Sequence, residues 1–431
     1  MNILDLVGIG IGPSNLSIAA LLDQIPKVRF EFFDKKPTFS WHPGLMLPNA
    51  KMQTSYLKDL VTGVSPTSPY SFLSFLVEKK RFYQFINAEF DAVQRSEFAE
   101  YYAWVASKLS HLNFNNEVNE VIFSDQHFRI KTKNATYMSK HICVGTGIAP
   151  RIPNFATPFM SDTCFHANDI AIRKPDLTGK DIVIAGGGQT GAEVFLSIFN
   201  MTFGKPNSIK WISRRPNLEP LDETPFSNEY FSPEYVKSFF PLEPKRKQAI
   251  VDYQKLTSDG ISPCTLNDIY RAIYNTVHLN EDRPSFQILP NREIQTLEKS
   301  ENYSLSSLNN INGNIEEYSA DTVILCTGFK SVLPNVLDGL KESFEYDPFG
   351  NVALDHSYQV KWDGSESNTI YAVNAGRFSH GIADSQTSLM CWRSGRIIND
   401  LLGRDYFDIE HEPRVINWTN QSAEVSKIKT A

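Results

Sequence analysis

The chain has 431 residues, of which 41% are hydrophobic and 21% charged, a balance typical of a soluble globular protein that excludes wholesale disorder. At roughly 100–200 residues per domain, this length predicts two or three folded units. The 42 Lys and Arg residues against 49 Asp and Glu give a formal net charge of −7, which argues against a nucleic-acid-binding protein because such proteins normally carry a basic stripe.

The cysteines and histidines do not form metal or disulfide patterns. Five cysteines lie far apart with no CxxC pair, which indicates a reducing compartment, and nine histidines form no HxH or HExxH spacing, so we expect no metal site. The apolar stretch from Ile3 to Leu22 is interrupted by Asp5, three glycines and a proline. We therefore expect a strand, a turn and a helix there, no transmembrane segment, and a cytoplasmic protein.

The first predicted elements form a β-turn-α-β unit: a strand over Leu4–Ile9, a helix over Ser14–Gln24 and a strand over Val28–Phe33. The turn reads Gly10-Ile11-Gly12-Pro13-Ser14-Asn15, and the helix after it offers N–H donors to a pyrophosphate. Asp34 follows the second strand, where a carboxylate accepts from a ribose hydroxyl, as in FAD. A purely structural turn is the alternative, since Asn15 replaces the third glycine.

After a loop-rich stretch over Pro37–Pro69, two helices and a strand over His141–Val144, the chain repeats this unit from Asp181. The second turn reads Gly186-Gly187-Gly188-Gln189-Thr190-Gly191, and the strand after it ends in Ser213-Arg214-Arg215. A ribose 2′-phosphate pairs well with guanidinium, so this site favours NADPH over NADH. The alternative is that Arg214 and Arg215 are solvated surface charges.

Two such units in one chain predict a flavin-dependent oxidoreductase reduced by NADPH. Thr146-Gly147 and Thr327-Gly328 end two strands, where the chain is expected to cross between nucleotide domains. The missing cysteine pair excludes a disulfide reductase. The Baeyer–Villiger motif FxGxxxH is also absent, since the nearest segment, Phe159–His166, lacks the glycine and has a late histidine. The flavoenzyme classes that remain are those that use oxygen to modify a substrate and simple oxidases.

We expect an α/β fold with two Rossmann-like dinucleotide-binding domains and a smaller, partly helical substrate region. Residues 1–165 and 320–431 are assigned to an FAD-binding domain, 166–215 and 282–319 to an NADPH-binding domain, and 216–281 to a substrate-binding insertion. The insertion breaks the α/β rhythm and carries five acids without a Lys or Arg between Pro216 and Val236, namely Glu219, Asp222, Glu223, Glu229 and Glu234. They could attract a cationic amine, or they could form a solvated acidic face.

Several segments, in order along almost the whole chain, resemble the N-hydroxylating flavoprotein monooxygenases of siderophore biosynthesis, the lysine and ornithine N-monooxygenase family. The resemblance is closest to its lysine N6-hydroxylase and diamine N-hydroxylase branch, and Asn15 is the family's own variant of the first turn. The segments are Gly10-Ile11-Gly12-Pro13-Ser14-Asn15-Leu16, Phe39-Ser40-Trp41-His42-Pro43-Gly44, Met52-Gln53-Thr54, Leu57-Lys58-Asp59-Leu60, Phe165-His166-Ala167, Gly186-Gly187-Gly188-Gln189-Thr190-Gly191, Asn228-Glu229-Tyr230-Phe231, Thr257-Ser258-Asp259-Gly260, Cys326-Thr327-Gly328-Phe329 and His380-Gly381-Ile382.

The resemblance implies an NADPH- and O₂-dependent enzyme that N-hydroxylates the terminal primary amine of L-lysine, putrescine or cadaverine, and a homotetramer or dimer. FAD would contact Gly10, Gly12, Pro13, Ser14, Asn15, Asp34, Trp41, His42, Gln53, Gly381 and Ile382, with Met52 and Gln53 next to the flavin ring. NADPH would contact Gly186, Gly187, Gly188, Gln189, Thr190, Arg214 and Arg215. Lys58 would pair with a substrate carboxylate, and Asn228 would lie near the substrate amino group.

Several of these residues could instead have purely structural roles. Trp41 and Met52 could be core residues, His42 a satisfied loop histidine, and Lys58 a structural or NADP⁺-contacting residue in a diamine enzyme. An ornithine N5-hydroxylase, another class-B flavin monooxygenase or an oxidase are the alternative activities. A non-catalytic flavin- or nucleotide-binding sensor is the alternative from another class.

Overall fold

A computed structural model of the chain describes residues 3–90, 92–279, 282–409 and 415–419. The strands of these residues are β1 (Ile3–Ile9), β2 (Phe30–Phe33), β3 (Leu112–Asn113), β4 (Val118–Ser124), β5 (His127–Thr132), β6 (Thr136–Val144), β7 (Ile148–Pro150), β8 (Cys164–His166), β9 (Asp181–Ala185), β10 (Ser208–Ile212), β11 (Ser285–Leu289), β12 (Arg292–Lys299), β13 (Tyr303–Asn309), β14 (Ile315–Ala320), β15 (Thr322–Leu325), β16 (Phe329–Ser331) and β17 (Ile370–Ala372).

The α-helices are α1 (Pro13–Leu22), α2 (Phe72–Glu78), α3 (Phe82–Asn87), α4 (Arg95–Lys108), α5 (Ile170–Arg173), α6 (Gln189–Phe199), α7 (Pro225–Asn228), α8 (Pro233–Phe239), α9 (Pro244–Tyr253), α10 (Lys255–Asp259), α11 (Pro263–Leu279), α12 (Asp338–Lys341), α13 (Arg377–His380) and α14 (Met390–Leu402). Short 3-10 helices cover Pro43–Leu45, Thr157–Phe159, Ala167–Asp169, Glu229–Phe231 and Asn335–Leu337. Among the helices described, none is long and apolar enough to cross a membrane.

A seven-stranded sheet forms the first unit, in the order β3-β2-β1-β6-β5-β4, with β17 pairing with β6. β1 lies between β2 and β6, parallel to both, and its apolar run from Leu6 to Ile9 is buried because helices cover both faces of such a sheet. α1 follows β1 and packs against α14 from the far end of the chain. The predicted β-turn-α-β unit is confirmed here, with its second strand starting at Phe30 instead of Val28.

The second unit is a five-stranded parallel sheet in the order β11-β10-β9-β15-β8. Its central strand β9 and the following helix α6 again match the predicted unit, and Ile182, Val183 and Ile184 are fully buried. β15 belongs to this sheet, although the predicted boundary at residue 320 assigns it to the FAD-binding domain. Between β11 and β15 in the chain, the strands β12, β13 and β14 form a separate antiparallel sheet, which the sequence did not indicate.

The chain crosses between the two sheets twice, and the crossings pair with each other. β7 leads out of the first sheet and β16 returns from the second, and they form an antiparallel two-stranded ribbon. Gly147 and Gly328, which precede these strands, have φ values of +84° and +80°, which glycine adopts without strain. The Thr-Gly strand ends thus lie at the domain crossings, as the sequence indicates.

The inserted segment is helical. Between β10 and β11 the structure describes the five helices α7 to α11, and Tyr235, Val236 and Phe239 of α8 join the hydrophobic core of the first unit. This insertion packs α9 and α8 against α13, near the predicted flavin-contacting glycine Gly381. The fold is α/β, with two Rossmann-like units and a smaller helical region, as predicted.

Candidate active site

The first glycine turn has the shape that a dinucleotide requires. Gly10 has a φ of +86°, and a Cβ there would lie 2.6 Å from the carbonyl oxygen of Gly145, so only glycine fits. Gly12 caps α1, and a Cβ on it would meet nothing closer than 3.8 Å, so the backbone is open on that side. Pro13 and Ser14 begin the helix. An open helix N-terminus beside a tight turn fits the pyrophosphate of FAD.

Asp34 holds this turn from the end of β2. Its Oδ2 accepts from the Ile11 N–H at 2.7 Å, its Oδ1 accepts from the Lys36 N–H at 2.8 Å, and the Lys36 ammonium lies 3.5 Å away. A carboxylate has about four acceptor sites, so these contacts leave lone pairs for a further donor. The predicted contact with a ribose hydroxyl stays a prediction.

Asn15 faces the protein instead of the open side of the turn. Its fully buried amide donates to the carbonyls of Gly10 at 2.8 Å and Ile9 at 3.3 Å, and its Oδ1 accepts from the Cys143 thiol at 3.2 Å. The side chain therefore ties the end of β1 to the end of β6. A generic fingerprint places a glycine here, and the amide replaces that close approach with hydrogen bonds.

Replacing Asn15 with alanine should destabilise the FAD-binding unit by about 1–3 kcal/mol, because buried carbonyls and a thiol lose their partner. The temperature at which bound flavin is released measures the loss. Asn87→Ala, at an exposed position at the end of α3, is the matched control. Equal release temperatures for the two variants would contradict the role of Asn15.

The second glycine turn is equally constrained. Gly186 has a φ of +131°, and a Cβ on it would lie 2.1 Å from the Cys326 carbonyl oxygen. The Trp211 indole N–H donates to the Gly186 carbonyl at 2.8 Å, and Gly188 caps α6. Gln189 and Thr190 form the first turn of that helix.

Arg215 supplies an unpaired donor beside this turn. Its Nη2 donates to the Asp259 carbonyl at 2.9 Å and lies 4.0 Å from the Cβ position of Gly188, while its Nη1 is buried without a hydrogen-bond partner. A buried guanidinium donor left unpaired is costly, so the position fits an anionic group of a ligand. Arg214 is exposed. The residues of this turn fit NADPH.

The loop residues predicted to contact the flavin follow the first β-turn-α-β unit, and Trp41 and Met52 pack with the hydrophobic core of the first unit. Trp41 packs edge-on against Tyr102 with ring centroids 5.2 Å apart, and Met52 is buried and donates its backbone N–H to the Val93 carbonyl at 2.9 Å. His42 adopts a left-handed backbone conformation, and burial, followed by the nearby Arg95 and Lys36 cations, lowers its pKa to about 4. Gln53 is exposed, and its amide donates to the Ser262 hydroxyl at 3.1 Å. Their contacts with FAD remain predictions.

The Gly381 loop rests on a buried ion pair that sequence reasoning missed. Gly381 has a φ of +90° and Ile382 is fully buried. Arg393 of α14 donates to the Asp384 carboxylate at 2.5 Å, with the two side chains 2% and 0% exposed. Asp384 also accepts from the Gly376 N–H at 2.6 Å. The pair fixes both ends of the segment that presents Gly381 and Ile382.

His380 makes stability depend on pH. The side chain is 1% exposed and stacks on Tyr358 at 3.9 Å, and burial, then the Arg393 and Arg396 cations, lowers its pKa to about 3. The unfolded chain binds a proton near the ordinary value of 6.5 whereas the folded chain does not, so stability present above pH 6.5 is lost as the pH falls toward 3.

We therefore expect the temperature of flavin release to fall as the pH is lowered from about 6.5 to 4, and His380→Gln to flatten this slope. His42 adds to the slope in the same direction. His278→Gln, exposed near the end of α11, should leave the slope unchanged. A slope that survives His380→Gln undiminished would show that other groups cause the acid sensitivity.

The structure shows no direct contact between the two predicted substrate residues, Lys58 and Asn228, among the residues that it describes. Lys58 is half-buried, and burial lowers its pKa while the Cys391 thiol and the Glu229 carboxylate act in the opposite direction. Glu229 thus lies close enough to Lys58 for their charges to interact. Asn228 is exposed, and its side-chain amide donates to the Glu223 carbonyl at 3.2 Å.

Of the acids in the insertion, Glu234 lies 3.7 Å from the Lys237 ammonium, and Glu223 is exposed although partial burial raises its pKa. Among the insertion acids, Glu229 is the one whose charge acts on the predicted substrate residue Lys58.

Comparison with known proteins agrees with this geometry. Residues 2–331 match the family described as L-lysine 6-monooxygenase/L-ornithine 5-monooxygenase. The L-lysine N6-monooxygenase of Escherichia coli is 40% identical over 417 residues, which are 96% of this chain and 98% of that protein. The chain belongs to the lysine/ornithine N-monooxygenase family. It is accordingly an FAD-dependent, NADPH-consuming N-monooxygenase.

Other family members match over similar lengths. A putrescine N-hydroxylase of Acinetobacter baumannii is 29% identical over 95% of this chain and 92% of its own. The FAD-bound structure of a desferrioxamine-pathway cadaverine monooxygenase from Erwinia amylovora superposes with a TM-score of 0.92 at 25% identity, covering 98% of this chain and 100% of that one. An ornithine N-hydroxylase structure from Kutzneria, with reduced FAD, NADP⁺ and L-ornithine, has a TM-score of 0.86 at 26% identity, covering 93% and 99%.

Within this family member, a polar network that the sequence did not reveal joins the two units and the insertion. Arg95 of α4 donates to the Glu193 carboxylate of α6 at 2.9 Å, and Glu193 accepts from the Gln189 amide at 2.9 Å. Gln189 accepts in turn from the Ser262 N–H at 2.8 Å, and the Ser262 hydroxyl accepts from Gln53. Gln189 was assigned to NADPH and Gln53 to the flavin, so the network connects the two predicted cofactor sites. The sequence feature that points to this network is Glu193, a charged residue within an otherwise apolar helix.

Proposed function

We propose that this enzyme hydroxylates the side-chain amine of L-lysine and that the resulting hydroxylamine feeds hydroxamate siderophore synthesis. The observation that carries this choice is the half-buried Lys58 ammonium of the first unit, on whose charge the Glu229 carboxylate of the insertion acts. The higher identity to a lysine enzyme, 40% against 29–30% for putrescine enzymes, supports it.

An amino-acid end carries both charges that these side chains complement. The α-carboxylate of lysine can accept from Lys58, and the α-ammonium can donate to Glu229. Charge-assisted hydrogen bonds of this kind are stronger than neutral ones. A diamine has no carboxylate, so its binding would leave the half-buried Lys58 without a new partner.

In this proposal the other site residues retain their predicted roles. The first glycine turn and Asp34 hold the FAD dinucleotide, and Met52, Gln53 and the backbone of Gly381 face its ring. Asn228 lies near the reacting amine. Bound FAD, reduced by NADPH, supplies the activation of oxygen, and the protein orients the neutral amine and excludes water.

The alternative substrate is cadaverine or putrescine. The TM-score of 0.92 to a cadaverine monooxygenase favours it, and Glu229 would serve the distal ammonium of a diamine equally well. Lys58 would then have a structural role or contact NADP⁺.

The deciding experiment measures hydroxylamine formation by the FAD-loaded enzyme with NADPH and, in parallel, L-lysine, cadaverine, putrescine and L-ornithine. We expect L-lysine to give the highest kcat/KM, by about tenfold or more, since a charge-assisted pair contributes roughly 1.5–3 kcal/mol. A higher kcat/KM for cadaverine would assign the diamine function. Product from none of the amines would exclude both.

We further propose a cytoplasmic homo-oligomer, a dimer or tetramer. The five cysteines are free thiols, and NADPH is the reductant, both of which suit a reducing compartment. Exposed Tyr270, Tyr274 and Val277 on α11 provide apolar surface for self-association. Light scattering during size-exclusion chromatography measures the mass, and a monomer across the micromolar range would exclude the oligomer.

A further inference from the structure

The short helix α10 of the insertion lies over the second glycine turn. The carbonyl oxygen of its last residue, Asp259, accepts from Arg215 Nη2 at 2.9 Å and lies 3.8 Å from the Cβ position of Gly188. The helix begins at Lys255, four residues earlier. Four residues span about 6 Å along a helix axis, so Lys255 lies within about one helical turn of the Asp259 carbonyl that binds Arg215.

Polar contacts fix this helix at both ends. Before it, the buried Gln254 amide donates to the Tyr235 hydroxyl at 2.5 Å. At its end, the Asp259 carboxylate lies 3.2 Å from the Arg377 guanidinium, and the Ser258 hydroxyl accepts from the same guanidinium at 3.0 Å. Lys255 is therefore presented from an anchored element, although its own side chain is exposed.

The charges of three cations act on one another near the second glycine turn. Partial burial lowers the pKa of Lys255, the nearby Arg214 and Arg215 guanidinium groups lower it further, and the Asp259 and Asp252 carboxylates oppose them. Within the described residues, neither Arg214, Arg215 nor Lys255 has a carboxylate within 4 Å, and Arg215 Nη1 is buried without a hydrogen-bond partner. Like charges held near one another, with no carboxylate close enough to form an ion pair, favour the binding of a multivalent anion.

We propose that Lys255 is the third cation of the site for the 2′-phosphate of NADPH and that it contributes to the preference for NADPH over NADH. The proposal rests on the binding of NADPH at the second glycine turn. The 2′-phosphate carries close to two negative charges, and two guanidinium groups and an ammonium from two different elements would surround it. Sequence reasoning placed only Arg214 and Arg215 there, because Lys255 lies on an inserted helix 40 residues further along the chain.

The test is equilibrium binding of 2′,5′-ADP and of 5′-AMP to the FAD-loaded enzyme by isothermal titration calorimetry, with no amine present. Lys255→Met should weaken 2′,5′-ADP binding by about tenfold and leave 5′-AMP binding within about twofold, because only the former carries the 2′-phosphate. Lys255→Arg should retain the wild-type affinity. Lys245→Met, an exposed lysine near the start of α9, is the matched control and should change neither affinity.

Steady-state kinetics give an independent readout. We expect Lys255→Met to raise KM for NADPH, leave KM for NADH unchanged and leave kcat at saturating NADPH unchanged. Unaltered 2′,5′-ADP binding, or an equal loss for 2′,5′-ADP and 5′-AMP, would overturn the proposal. Neither result depends on which amine is hydroxylated, so a wrong assignment of L-lysine would not produce it.

Discussion

Replacing Lys58 with methionine is expected to raise KM for L-lysine by about 100-fold while changing KM for cadaverine by less than about threefold. The physical reason is that the α-carboxylate loses its charged donor in a half-buried place, whereas a diamine never engages it. The two KM values are obtained by measuring NADPH oxidation and hydroxylamine formation together over a range of concentrations of each amine. The rate of flavin reduction by NADPH should remain unchanged.

Lys51→Met is the matched control for this prediction. Lys51 lies on the same loop, but its side chain lines a separate cavity of about 230 Å³ with Asn200 and Asp268. Its replacement should leave both KM values unchanged. If Lys58→Met raised KM equally for lysine and cadaverine, the residue would have a structural role, and an unchanged KM for lysine would exclude the carboxylate contact.

The second large effect concerns stability, and Asp384→Asn is expected to lower it by about 3–5 kcal/mol. The substitution leaves the Arg393 guanidinium charged and unpaired at a side-chain exposure of 2%. Because the protein has several units, a single unfolding free energy is poorly defined, so we take the temperature of flavin release as the measure and expect a decrease of at least about 5 °C.

Two further variants make the second result specific. Asp338→Asn breaks an exposed ion pair with Lys341, for which we expect a cost below about 1 kcal/mol. The double variant Asp384→Asn with Arg393→Met removes both charges and should recover part of the loss, since the unpaired cation is gone. A double variant less stable than Asp384→Asn alone would indicate that the packing of Arg393, and not its charge, is decisive.

The two β-turn-α-β units were predictable because their signals are local. A buried strand, a glycine turn and an apolar helix follow one another within about 25 residues, and each local preference agrees with the fold. The assignment of a separate NADPH unit likewise followed from Arg214 and Arg215 directly after β10. The crossing points were identified from Thr146-Gly147 and Thr327-Gly328, where the chain changes direction.

The contacts that join these pieces were not predictable, because they connect distant residues. The Arg95–Glu193 pair spans two units, and although Glu193 interrupts an apolar helix, nothing near either residue in the sequence identifies its partner. The sequence did not predict the sheet of β12 to β14 because these strands contain many serines and glutamates. Such residues weaken the apolar alternation that marks a strand. The sequence singles out Asn15 as a departure from the glycine fingerprint, but the direction of its side chain depends on Cys143, which only the fold brings near.

The nesting of one sheet within the other has a consequence for biosynthesis. Every strand of the second sheet lies between β8 and β15, so a nascent chain that has just emerged through β15 holds that sheet complete. The first sheet still lacks β17, and α1 still lacks its partner α14. Synthesis therefore completes the second sheet before the first, and a chain terminated just after β15 lacks the strand β17 and the helix α14 that complete the first unit.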